Sequence, residues 1–423
     1  MKKQAPMIKV SLFTHNQNQG ALIMNTHSSL FSQILSIVSK DDFYRIVAKH
    51  KAQKHAKGFS CWDQFVAMMF CQLAQAKSLN EIVIGLAMCE GKLNHLGMTA
   101  SPAKSTLSYA NANRSWMVYR DLFQEVLYKC YSQVPGGKKK FRFKNKLQSM
   151  DSTTIDLCLK LFPWAKFRQT KGAVKLHVLL DHDGYFPSFA HITDGKVHDV
   201  RVARQVELAP GSIIVFDRAY TDFGLFQYWN EQGVYFVTRA KSNIQYRILE
   251  RREKREGSGV SADWEIEMTG FYTKQDCPAY LRLIKYKDEE TGKELEFLTN
   301  NMDFVATTIA QIYKDRWQIE CFFKTLKQNL KIKTFVGTSQ NALYIQIWTA
   351  LIAILLLKYL QFKSLCEWAT SNLIAFVRWN LFAHTDLWEW LKLSLKELKN
   401  VAKTDQLELT FGTASGKVEG AEK

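Results

Sequence analysis

No Cys-x2-Cys pair occurs in this chain, and no cysteine–histidine spacing suits zinc. Its eight cysteines (61, 71, 89, 130, 158, 277, 321 and 366) lie mostly in apolar segments such as Met68-Met69-Phe70-Cys71. Their placement argues against a zinc site and fits buried, reduced thiols in a cytoplasmic protein. No secretory leader is expected, because the first 28 residues are rich in Asn, Gln and Lys and hold no apolar stretch. Residues 1–28 read as a disordered tail, with Met24 as an alternative start. The strongest apolar run, Ile347–Leu357, has eleven residues and includes Thr349. Spanning a bilayer takes about 20, so a buried core helix is expected there, and no membrane. No internal repeat is visible.

Positive charge is plentiful. The 423 residues carry 57 Lys and Arg against 40 Asp and Glu, a formal charge of +17. Such a balance favours a polyanionic partner through steering and counterion release, and points to nucleic acid. Hydrophobic residues make up 47%, ample for packed cores, and the length suggests two or three domains.

Residues 29–135 read as a helical domain, with Phe65, Met68, Met69 and Leu73 at helical spacing. Ser101-Pro102 precedes a short helix, Ser105–Asn113, whose polar face of Ser105, Ser108, Asn111 and Asn113 suits either DNA recognition or plain solvent exposure. Pro135-Gly136-Gly137 breaks the chain. Lys138, Lys139, Lys140, Arg142 and Lys144 follow, interleaved with Phe141 and Phe143, as candidates for the DNA backbone or a solvated linker.

From residue 147 strands and helices alternate: strands at 147–157, 172–181, 185–193, 212–216 and 234–239, helices at 200–208 and 223–231. Four strand-like runs fill a β-rich insertion at about 240–300, a helix is expected over Thr307–Leu330, and aromatic-rich helices occupy about 340–400. Residues 401–423 read as a tail.

Three carboxylates stand out: Asp151 on the first strand, Asp217 at the end of the apolar run Ile213–Phe216, and Glu320 on the helix. Tyr313, Arg316, Glu320 and Lys327 follow the spacing Y-x2-R-x3-E-x6-K, and offsets of three, four and seven return to one helix face. That face offers one metal-binding carboxylate and three groups able to hold phosphate, or an Arg316–Glu320 ion pair on an exposed helix. His177, His198 and Asp199 suit structural hydrogen bonds better than metal ligation. Gly257-Ser258-Gly259 precedes strand-like sequence and reads as a turn.

This constellation resembles the DDE transposases of bacterial insertion sequences, and more narrowly insertion-sequence family four, over about residues 30–400. The resemblance implies an α/β fold: a ribonuclease-H-like catalytic core (136–400) with a β-rich insertion, preceded by an all-α DNA-binding domain. It implies cut-and-paste transposition in the bacterial cytoplasm, at the nucleoid. The enzyme would bind terminal inverted repeats on double-stranded DNA as a homodimer, nick each end, pass through a hairpin and join target DNA. Asp151, Asp217 and Glu320 would hold two Mg²⁺ ions (Mn²⁺ substituting) about 3.5–4 Å apart. Tyr313, Arg316 and Lys327 would grip phosphates. Trp264, the tryptophan of the insertion, is the candidate to stack on a flipped base. A nuclease without strand transfer and a silent DNA-binding protein are the rivals, and the intact triad disfavours the second.

Overall fold

The computed structural model describes residues 28–393, apart from 55, 90, 134–139, 271–276, 278–279 and 365–367. Residues 1–27 and 401–423 of the expected tails, and Lys138 and Lys139, lie outside the described residues. Six helices come first: α1 (Leu30–Leu35), α2 (Lys40–Lys49), α3 (Cys61–Leu73), α4 (Leu79–Ala87), α5 (Lys104–Asn113) and α6 (Met117–Gln133). Serines start four of them, and Ser60 with Asp63 forms a full capping box before α3.

Nine strands form one mixed sheet: β1 (Leu147–Leu157), β2 (Gly172–Asp181), β3 (Phe186–Asp194), β4 (Ile213–Phe216), β5 (Tyr235–Arg239), β6 (Tyr246–Arg251), β7 (Val260–Met268), β8 (Leu281–Lys287) and β9 (Glu294–Thr299). The spatial order is β3-β2-β1-β4-β5-β9-β8-β7-β6. β1 to β3 meander antiparallel, whereas β4 and β5 join parallel to β1. The crossovers run through α7 (Asp199–Ala203) and α8 (Phe223–Glu231). The residue 240–300 insertion is not a separate sheet. β9 pairs antiparallel with β5, so its strands lengthen the same sheet.

The helix expected over 307–330 is two, α9 (Ala306–Asp315) and α10 (Trp317–Asn329), meeting at Arg316. Three further helices follow among the described residues: α11 (Gln340–Lys363), α12 (Thr370–Asn380) and α13 (Leu387–Trp390). By length and composition α11 could cross a membrane, but its run from Gln346 to Leu357 is buried inside the fold. It packs on α3, α5, α6 and α12. Its buried Gln346 and Thr349 side chains are hydrogen-bonded, whereas the Trp348 indole N–H has no partner among the described residues. Gln346 donates to the carbonyls of Lys331 (2.6 Å) and Thr334 (2.8 Å) and accepts from the amide of Val336 (2.9 Å), fixing the loop after α10.

One apolar core therefore runs from α1–α6 through α10–α13 onto one face of β1–β3. The helices of 29–135 share it with those of 340–400. A second core holds α7 and α8 against the opposite face, where Met150, Ile214, Phe216 and Phe236 point. A third lies under α9, with Leu147, Ile213, Val215 and Val237. Side chains alternate across a strand. Odd-numbered residues of β1 and β4 therefore face the helices carrying Arg316 and Glu320. Asp151 falls at the seam, between Leu147 in the third core and Ile155 in the first.

Candidate active site

The β1–β4 register pairs Gln148 with Ile214 and Met150 with Phe216. Continued by one residue, it sets Asp151 beside Asp217, on the same face. β4 is buried throughout and ends at Phe216, so Asp217 emerges at its carboxyl end. There it caps the following turn, accepting from the Ala219 amide at 2.8 Å. Open sheets with parallel strands place ligand sites at such strand ends.

Glu320 reaches the same place through Arg316. The Arg316 guanidinium is 2.6 Å from Glu320 and 3.6 Å from Asp151. Its side chain is 13% exposed, those of Asp151 and Glu320 21% and 35%. Burial pushes the Asp151 carboxyl up to about 7, helped by the nearby charges of Asp217 and Glu320 and opposed by the Ser152 amide and Arg316. This is a crowded set of carboxylates short of positive charge.

The donor set fits a hard divalent cation, since all the candidate ligands are carboxylate oxygens. The side-chain arrangement is not yet a closed metal site: among the described residues no three ligand-type side chains stand close enough to hold an ion. Arg316 is the physical reason. Its guanidinium lies between Asp151 and Glu320, and Glu320 is turned onto it. The i,i+4 ion pair weighed from the sequence is thus present.

Tyr313 is half-buried. Its ring lies 5.5 Å from the Arg316 guanidinium carbon and packs on Phe297 at 5.0 Å. Burial raises its hydroxyl pKa, and Arg316, Arg239 and Asp217 all act on it. Lys327 donates to the Thr154 carbonyl of β1 at 3.1 Å. Arg316, Glu320 and Lys327 thus lie beside β1, whereas Tyr313, on α9, packs on Phe297 of β9. Trp317 is 60% exposed and takes no part.

Trp264 is not brought to the carboxylates. β7 lies four strand positions from β4, about 19 Å at usual spacing. The ring is flanked by Arg251 and Lys285, at 5.7 and 5.4 Å, and packs at the edge of the second core. In the basic segment, Phe141 and Phe143 stack at 5.0 Å and Phe143 meets Phe304 at 4.9 Å, so the aromatics point inward. Arg142 and Lys144 are exposed, whereas Lys140 is paired with Asp315. On α5, Ser105, Ser108 and Asn113 are exposed, but Asn111 is buried. It accepts from Gln64 at 2.8 Å, because α5 packs on α3 through that side.

His177 makes a structural bond, with Nε2 at 2.9 Å from Thr193 Oγ1, while its buried Nδ1, 3.4 Å from Asp199, has no hydrogen-bond partner among the described residues. Burial lowers its pKa to about 4, so it is neutral. Asp199 also accepts from Ser152 Oγ (2.7 Å) and Lys175 (3.3 Å), bracing the residue after Asp151. Sequence reading missed a second cluster: Ser149, His182, Tyr185 and Asp315. Only Asp315, inside the Tyr313–Glu320 motif, carried any signal.

Residues 142–356 match the Transposase DDE domain family, and residues 26–99 match a domain of unknown function, DUF4372. A Sinorhizobium fredii protein, named "Putative transposase y4zB", is 33% identical over 61% of this chain and 71% of its own length. A Geobacillus stearothermophilus protein, named as a probable transposase for insertion sequence element IS5377, is 30% identical over 65% of this chain and 72% of its own length. Among solved structures, a piggyBac transposase synaptic complex with hairpin DNA aligns over 94% of this chain and 89% of that one, at 13% identity and a TM-score of 0.40. The matched segment holds Asp151, Asp217 and Glu320 together, and on these matches the chain belongs to the DDE transposases of bacterial insertion sequences, a family of DNA-transposing enzymes.

Proposed function

We propose that this transposase works by cut and paste through Asp151, Asp217 and Glu320. The observation that carries the reading is the meeting of adjoining parallel strands with α10. Asp151 and Asp217 share a face, and Arg316 touches both Asp151 and Glu320. The strand order β3-β2-β1-β4-β5 supports a ribonuclease-H-like core at 136–400, with the 29–135 helices binding DNA.

The three carboxylates would hold Mg²⁺, or Mn²⁺ in its place, which as a pair would supply an activated water and a stabilised leaving oxyanion. Glu320 would have to release Arg316 to take part. Arg316 would then be free to grip a phosphate with its planar fork, with Lys327 as a point charge beside it and Tyr313 donating its hydroxyl. Arg142 and Lys144, exposed beside β1, would contact the DNA backbone, and Lys140 would do so on leaving Asp315. Trp264, with cations on its ring, would reach DNA away from its own chain's carboxylates if it stacks on a base.

The substrate would be double-stranded DNA with terminal inverted repeats, bound by a homodimer at the bacterial nucleoid. The products would pass through a hairpin before joining to target DNA. The test is product analysis on an end-labelled duplex made from the DNA flanking the gene. A 3′-hydroxyl nick followed by a hairpin on the same molecule supports the reading. Nicks that never close into hairpins or join target DNA would replace it with a simple nuclease activity.

A further inference from the structure

Two residues from Asp151, Ser149 Oγ lies 2.7 Å from His182 Nε2, and His182 Nδ1 lies 2.6 Å from Asp315 Oδ2. Tyr185 donates its hydroxyl to the same carboxylate at 3.2 Å, and Lys140 pairs with its other oxygen. The order Ser–His–Asp is that of a nucleophile relay. Burial rules out that use, since Ser149 is 0% exposed and Asp315 3%. No substrate reaches the hydroxyl.

Asp315 is placed against two ordinary preferences. It is a buried carboxylate, and it ends α9, where the helix dipole favours cations. Burial would raise its pKa, but the bonds from His182 and Lys140 prevail and keep it low. What the placement achieves is a span between two elements. Ser149 and Asp151 sit one pleat apart on the same face of β1. Asp315 and Arg316 are neighbours at the α9–α10 junction. The relay therefore runs alongside the looser Asp151–Arg316 contact of 3.6 Å and ties the same strand to the same junction.

We infer that Ser149, His182 and Asp315 form a strut that sets how far Glu320 stands from Asp151, making them positioning residues for the metal site. This rests on the reading of Asp151, Asp217 and Glu320 as that site. Lys140 connects the strut to the basic segment before β1.

The test uses the full chain with Asp315→Asn, which keeps the shape and removes the charge, and Ser149→Ala, which removes one hydroxyl. Glu320→Gln is the reference. Mn²⁺ binding is read from the spin-resonance signal of the free ion, and affinity for the gene's flanking duplex is read in EDTA. We expect Asp315→Asn to weaken Mn²⁺ binding about tenfold and Ser149→Ala about threefold, with DNA affinity within about twofold of wild type. Glu320→Gln should lose Mn²⁺ binding at least as severely. If Glu320→Gln weakens Mn²⁺ binding and neither strut variant does, the strut is overturned and the site reading stands. If Glu320→Gln has no effect either, the site reading falls and the strut with it. Equal losses of DNA and Mn²⁺ affinity in both strut variants would show general unfolding and also overturn the strut.

Discussion

Replacing Asp151 by Asn should stabilise this protein without metal, increasingly as pH rises from about 4 to 7 and fully above that. The carboxyl sits at about 7 in the fold against an ordinary 3.8. Because the folded value is raised, the folded chain holds a proton that the unfolded chain releases. Stability from this group is thus full below pH 4, is lost progressively as pH rises from about 4 to 7, and is gone above that. The rise corresponds to about 4 kcal/mol at most, and local relaxation will reduce it to about 2 kcal/mol. Asn keeps the oxygen that accepts from the Ser152 amide at 2.7 Å, so little else changes. The assay is thermal unfolding in EDTA at pH 4 and pH 8. The variant should melt close to wild type at pH 4 and several degrees above it at pH 8. Added Mg²⁺ should then raise wild type and leave the variant unmoved. Equal melting at both pH values would refute the crowding of charge at Asp151.

Other perturbations have separate readouts. Arg282 and Asp263 form a buried two-pronged pair at 2.8 and 2.7 Å; Asp263→Ala should destabilise by about 3–5 kcal/mol, measured by denaturant unfolding. Gly184 has φ +96°, and a Cβ there would come within 2.9 Å of both Phe186 and Phe362. Gly184→Ala should therefore lower the melting temperature, by about 1–3 kcal/mol in stability. Arg316→Ala removes the cation between Asp151 and Glu320 and should slow single-turnover strand cleavage about a hundredfold. Arg316→Lys should recover little, because the fork is lost.

The strands of the core were legible because each is an apolar run bounded by turn residues. β1, β2 and α8 fall on their expected limits, and Asp217 was found from the buried run that ends on it. Helical spacing likewise brought Arg316 and Glu320 into contact, four residues apart. What sequence could not supply was long-range pairing. Nothing local says that β9 returns to β5 and makes the insertion part of the same sheet. The break between α9 and α10 escaped notice because Arg316 keeps helical backbone angles and no Pro or Gly marks it. Asn111 read as solvent-facing because a polar side chain at a helix position does not reveal its partner, Gln64 of α3. The Ser149–His182–Asp315 cluster draws on three distant segments that only folding brings together.

The most direct test of the central claim is paired-end excision by purified wild type and Glu320→Gln in Mg²⁺. The substrate is a marker flanked by the gene's own end sequences. The account predicts that wild type releases the marker with hairpin or flush ends, while Glu320→Gln binds the same DNA and releases none. Excision by Glu320→Gln at the wild-type rate would contradict it.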